Sequence, residues 1–166
     1  MNGTKVRNRF MFALTVGLLA VVATYGFAVA TPAAGVTSTT IASGSLDPIN
    51  FLVENGDWSA KVKTKGQTNL SVVENRVAPG GSFGWHSHPG PSLVIVKSGT
   101  LTFYVASDPT CTPAVHSAGD AYVDEGTDVH VARNETGAEA VVIVTRLVPV
   151  GAPSRIDQPA PGTCGF

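Results

Sequence analysis

Between Asp47 and Val150 almost nothing in this chain repeats with a helical period. Short β-forming runs recur instead: "SAKVKT", "LSVVENRVA", "SLVIVKS", "TLTFYVA", "DAYVDE", "HVARN" and "AVVIVTRLV". Turn signals separate them, at Pro79-Gly80-Gly81, Pro89-Gly90-Pro91, Ser98-Gly99, Asp108-Pro109, Ala118-Gly119-Asp120 and Glu135-Thr136-Gly137. Many short strands at even spacing call for an antiparallel sandwich or barrel. Alternation assigns faces within the strands: Leu101, Phe103 and Val105 share one, and Thr100, Thr102 and Tyr104 the other. A folded unit of about 100 residues is enough to fill a small β-barrel.

The ends of the chain are of a different kind. Lys5, Arg7 and Arg9 precede an apolar run from Phe10 to Ala30, and Ala28-Val29-Ala30 offers the small-x-small pattern that signal peptidase cleaves. Residues 1–30 therefore read as a signal peptide, with retention of residues 10–30 as a membrane anchor the alternative. Residues 31–46 are small and polar without periodicity, which predicts a flexible linker. Residues 47–150 form the barrel, and the Pro/Gly-rich residues 151–166 a C-terminal tail.

Removing three basic residues with the signal leaves 8 Lys and Arg against 12 Asp and Glu, a net charge of −4. No basic stripe remains to neutralise phosphates, so a nucleic-acid partner is excluded. Contact with a membrane is expected only if the N-terminal segment is retained. The chain has two cysteines, Cys111 and Cys164, in Pro/Gly/Thr-rich sequence. In the oxidising compartment that a signal peptide implies, such a pair reads as a disulfide tying the tail to a mid-domain loop. Their separation, with no CxxC, argues against a cysteine metal site. The expected location is secreted or extracytoplasmic.

His86 and His88 stand two apart, so on a strand both imidazoles project from one face. Ser82 and Gly84, small residues of the same parity, leave room around them. Two neutral imidazoles from one strand make a chelating edge for a first-row divalent ion. HxH alone is weak, but its surroundings add to it. Gly80 stands six residues before His86, Gly99 eleven after His88, and downstream Gly119, His130 and Asn134 follow in order.

This pattern resembles the cupin superfamily, whose first motif is G-x5-H-x-H-x3,4-E-x6-G and whose second is G-x5-P-x-G-x2-H-x3-N. Gly80, His86, His88 and Gly99 match the first in register; Gly119, His130 and Asn134 match the second. The resemblance implies an all-β, antiparallel jelly-roll β-barrel behind the N-terminal signal segment. It also implies metal ligation by His86, His88 and His130, with Asn134 near the third histidine's strand, and pairing of two chains through sheet edges. The chain departs from the pattern in two places. Ser92 occupies the glutamate position, and Glu125 the proline position, with Gly126 one residue early. Ser92 shares parity with Val94 and Val96, so its hydroxyl should point into the barrel, where it could hold a metal-bound water. Loss of the carboxylate takes one negative charge from the site and favours metals content with imidazole, namely Zn, Cu, Fe or Ni. Glu125 or Asp128 could swing in to replace it. His116 reads as a loop or edge residue.

Three functions follow. The first is a metal-dependent enzyme on a small molecule, dioxygenase-like or otherwise, with Fe, Mn, Zn, Ni or Cu at the three histidines and Arg133 or Tyr122 as partner residues. The second is a non-catalytic extracytoplasmic barrel that binds a small molecule or sugar, with or without metal. The third is metal-free catalysis by a His–Asp pair, for which Asp128 and His130 share strand parity.

Overall fold

The computed structural model describes residues 29–166, so the signal-peptide reading falls almost wholly outside the described residues. Twelve strands and no helix occupy them: β1 Ala34–Leu46, β2 Asn50–Asn55, β3 Trp58–Lys63, β4 Thr68–Ser82, β5 His86–Ser87, β6 Ser92–Ser98, β7 Thr100–Val105, β8 Ala114–Ser117, β9 Ala121–Asp124, β10 His130–Arg133, β11 Ala140–Pro149 and β12 Ile156–Asp157. Ten of them make one antiparallel sheet that curls into a nearly closed barrel, and β2 and β3 form a separate hairpin. One wall runs β1-β4-β11-β6-β9 and the other β12-β5-β10-β7-β8. They meet where Arg133 of β10 pairs with Ser82 of β4.

Alternation places the core. On β6, Ser92, Val94 and Val96 are buried while Leu93 and Ile95 face solvent. The inward valines join Val77, Leu101, Ala140, Val142 and Val144 in the barrel interior. A side chain of this size removed from water stabilises the fold by about 1.5–3 kcal/mol. Gly99 turns β6 into β7 at φ +74°, where a Cβ would stand 2.6 Å from the Glu139 carbonyl oxygen, so this corner admits only glycine.

On β7 both faces are buried. Leu101 enters the barrel, and Tyr104 packs outside it with Trp85, Val131 and Cys164 in a second apolar cluster. The C-terminal tail covers that outer face. Cys164 is bonded to Cys111 with their Cα atoms 5.4 Å apart, and Phe166 stacks on Trp85 at 6.2 Å between ring centroids. The tail is thus a layer of the structure, as well as being tied at its end.

The segment expected to be a flexible linker is a strand. From Ala34 opposite Ser82 to Leu46 opposite Thr68, β1 pairs along the length of β4. It carries no amphipathic alternation because most of it is exposed on both faces at the sheet's edge. Its Val, Ile and Thr content favours extended backbone, and β4 supplies the hydrogen-bond partners.

Candidate metal centre

The three histidines converge inside the barrel from two strands and one loop. His86 opens β5 and pairs with His130, which opens β10, while His88 lies just beyond β5. All three are buried, at 4, 3 and 3% exposure, and their ligand atoms lie within 4.8 Å of one another. The loop after His88 is fixed from below by its backbone N–H, which donates to the Gly126 carbonyl at 2.6 Å.

Each imidazole is oriented by its own backbone carbonyl. His86 Nδ1 donates to Gly84 O at 2.8 Å, His88 Nδ1 to Ser154 O at 2.7 Å and His130 Nδ1 to Asp128 O at 2.8 Å. A carbonyl only accepts, so the proton sits on Nδ1 in all three rings and the Nε2 lone pair is free. Hydrogen bonds of this kind set the tautomer and ring direction of metal-ligating histidines.

A carboxylate completes the cluster. Asp124 Oδ2 lies 3.4 Å from His88 Nε2 and 3.3 Å from His130 Nε2. Those distances would describe ion pairs only if the rings were protonated. Burial opposes that: it is the main cause pushing His86 down to about 2 and His88 to about 4, and it lowers His130 as well, against the pull of Asp124. At neutral pH the cluster is therefore three Nε2 lone pairs, two of them facing a carboxylate oxygen, an arrangement that a cation relieves. The two contacts of Asp124 match the roughly 3.0–3.4 Å that adjacent ligands at roughly 2.0–2.2 Å around a single ion would show, and the histidine ligand atoms lie within 4.8 Å of one another. His86, His88 and His130 could hold a divalent metal, with Asp124 beside two of them.

Asp124 is the residue that reading the sequence missed, and the expectation of a site one charge short is corrected. It comes from neither of the acids considered. Glu125 and Asp128 line a neighbouring cleft that shares Asp124 and His130 with the centre, and Asp128 hydrogen-bonds His130 through its backbone oxygen. Asp124 ends β9 on the same face as Tyr122, and its Cα partner on β6 is Ser92. Asp124 thus stands across the ladder from Ser92, the position where the family motif has its carboxylate. A signal for this existed in the alternation of "DAYVD", which puts Tyr122 and Asp124 on one face.

Ser92 points inward as expected. It is 2% exposed, lines the cavity, and its Oγ has no hydrogen-bond partner. Tyr122 also lines the cavity, where burial and then Asp124 raise its phenol, so it stays neutral near pH 7. The other candidates lie elsewhere. Asn134 is 1% exposed but closes a turn instead of lining the cavity: its Nδ2 donates to the Val77 and Ala138 carbonyls and its Oδ1 accepts from Thr136. Arg133 lies over the Phe166 ring at 3.8 Å on the outer face. His116 on β8 stacks against Tyr122 at 4.0 Å and takes no part in the cluster.

The cavity around the cluster is small, about 40 Å3, and is walled by Phe83, Phe103, Val94, Val142 and Val144 among others. It adjoins a second cavity of about 660 Å3, with which it shares Asn75, Phe83 and Arg146 as walls. Small-molecule sites commonly occupy some 300–1,000 Å3.

Comparison with known proteins agrees with this architecture. The cupin domain family model matches residues 73–146, a span that contains all three histidines and Asp124. No curated protein matches the chain. Among solved structures, the cupin-2 domain protein Rru_A2000 from Rhodospirillum rubrum superposes with a TM-score of 0.50 at 15% identity, over 75% of this chain and 66% of that one. The polyketide cyclase RemF from Streptomyces resistomycificus gives 0.46 at 18% identity, over 53% of this chain and 59% of that one. A conserved protein with a double-stranded β-helix domain from Klebsiella pneumoniae gives 0.45 at 21%, over 68% and 85%. The chain thus spans less than two thirds of the first two structures' length. The motif histidines in their antiparallel barrel and the family match identify residues 73–146 of this chain as a cupin domain.

Proposed function

We propose that this protein is an exported metal-dependent enzyme acting on a small molecule, with His86, His88, His130 and Asp124 holding a divalent transition metal. One observation carries the reading. Three buried imidazoles each commit Nδ1 to a carbonyl, their ligand atoms lie within 4.8 Å of one another, and two of them, His88 and His130, turn Nε2 toward one carboxylate oxygen of Asp124. An oxygen donor beside three nitrogens widens the choice of metal toward Mn and Fe, which favour carboxylate more than Zn or Cu do. Bound there, the ion would supply Lewis acidity and open positions for substrate oxygen atoms.

The chain's own residues supply the rest. Phe83, Phe103 and the valines exclude bulk water and strengthen every charge interaction inside. Ser92 Oγ, buried without a partner, is free to hydrogen-bond a bound water or substrate atom. Tyr122 holds its proton at neutral pH and can donate a hydrogen bond to a bound oxygen. Export is supported by the Cys111–Cys164 disulfide, which persists in oxidising compartments.

Metal content of the purified protein, measured by mass spectrometry after reconstitution with Fe, Mn, Zn, Ni and Cu, tests the reading. Near one equivalent is expected in the wild type and none in the His86→Ala/His88→Ala double variant. No bound metal under any of these conditions would overturn it in favour of a metal-free binding barrel.

A further inference from the structure

The second cavity carries a charge imbalance, and one of its two arginines, Arg146, also borders the metal cavity. Arg146 and Arg155 both line it, and among the described residues no Asp or Glu does. Arg146 projects from β11 with the inward parity of Val142 and Val144, and its Nε is buried with no hydrogen-bond partner. Among the described residues, no acidic side chain comes within 4.0 Å of its guanidinium. Arg155 comes from the tail, where its Nε is engaged by Asp157 while its Nη2 is buried and unpartnered. Between the two cavities stands Asn75, 1% exposed. Its Oδ1 accepts from Ser38 Oγ at 2.6 Å, which leaves Nδ2 buried without an acceptor.

Three donors on one cavity thus lack acceptors, and two of them belong to full positive charges. Leaving such groups unmade is costly, and more so for charged ones. What is missing is an oxyanion. A guanidinium fork matches a planar carboxylate best, through paired charge-assisted hydrogen bonds. Phe83, Val36, Val73 and Val148 give one part of the wall suited to a short hydrocarbon body, and serines, Thr40 and Asn69 make the rest polar.

We propose that Arg146, Arg155 and Asn75 form a carboxylate-binding subsite beside the metal centre, so that the substrate is a small organic acid. Its carboxylate lies against the arginines and its reactive part extends past Asn75 toward Ser92 and the histidines. Arg146 is placed to serve both ends. It stands opposite Ser92 in the β11–β6 register, and Ser92 stands opposite Asp124. The assignment of substrate class rests on the metal-enzyme reading for its chemistry, but the anion subsite itself does not require the metal.

Acetate, benzoate and succinate are the probes, titrated calorimetrically into the purified protein before and after chelator treatment, with benzamide as the neutral control. At least one carboxylate is expected to bind both forms, and at least tenfold more tightly than benzamide, the factor that a charge-assisted hydrogen bond gives. Arg155→Gln should weaken that binding by roughly tenfold or more with metal content unchanged. Arg146→Gln should do the same, and Arg155, on the half-exposed tail, decides the matter if the Arg146 variant fails to fold. Failure of all three carboxylates to outbind benzamide would overturn the subsite. So would binding that survives both substitutions, or binding that disappears with the metal. Anion binding intact in a protein that takes up no metal would overturn the metal centre alone.

Discussion

Asp124 stands directly across the β6–β9 ladder from Ser92, and both side chains are buried in the barrel. Paired positions on neighbouring strands bring their Cβ atoms within about 4.5–5.5 Å, so a carboxylate can pass from one to the other and still reach the same point. The motif position holds a hydroxyl, and its partner holds the charge.

That exchange predicts a loss and a rescue. Asp124→Ser should weaken divalent-metal affinity by about a hundredfold or more, beyond the 10–100-fold typical for residues that only support ligands. Adding Ser92→Glu in the same chain should recover most of it, since the carboxylate would return from the opposite strand. Competition titrations with a chromophoric chelator measure both. A double variant as weak as the single would show that the register relationship is incidental.

The pH dependence follows from the three imidazoles. Their folded-state pKa values lie below the ordinary 6.5, so the unfolded chain binds protons first as pH falls. Stability of the metal-free protein is therefore full above about 6.5 and declines below it, until the folded-state value of about 4 for His88 is reached. The slope is on the order of 1 kcal/mol per pH unit for each histidine left neutral in the fold. Urea unfolding at pH 7.5 and 5.5 should show this loss in the metal-free wild type and a smaller one in His88→Gln. Equal losses in the two proteins would rule out His88 as a source.

Parts of the site differed in how legible they were, for physical reasons. Ser92 could be placed from two-residue parity alone, because β6 reads as a strand and a strand's faces alternate, and the same parity served for His86 and His88 although β5 ends at Ser87. Asp124 could not, since its relation to Ser92 depends on which strands pair and in what register. Arg146 sits in an apolar run and Arg155 in a Pro/Gly-rich tail, so nothing local joins them; the curl of β11 and the course of the tail do. β1 went unread for a different reason. An exposed edge strand needs only backbone partners, and its side chains carry no burial signal.

A strand in place of a linker has a measurable consequence. Deleting residues 34–46 would strip the β1 partner from one side of β4 and leave a long row of unpaired backbone groups. Exposed edges of this kind template pairing with another chain. The shortened protein should elute partly as dimer or larger species in size-exclusion chromatography and unfold at lower urea than the full chain. A monomer of unchanged stability would mean that β1 adds nothing to the barrel.

The tail couples covalent chemistry to the metal centre. The Cys111–Cys164 bond closes a loop across a sequence separation of 53. For a loop of this length the chain-entropy model gives a stabilisation of about 4 kcal/mol as an upper figure. The same tail brings Ser154 O to His88 Nδ1 and lays β12 beside β5, with Asp157 opposite His86. Cys111→Ser/Cys164→Ser should therefore do two things. It should lower the unfolding free energy by up to about 4 kcal/mol. It should also weaken metal binding by about tenfold, the lower end for losing a hydrogen bond that orients a ligand. Urea midpoints and chelator competition read the two effects separately. A stability loss with metal affinity intact would show that β12 holds His88 without the disulfide, through its pairing with β5 and the stacking of Phe166 on Trp85.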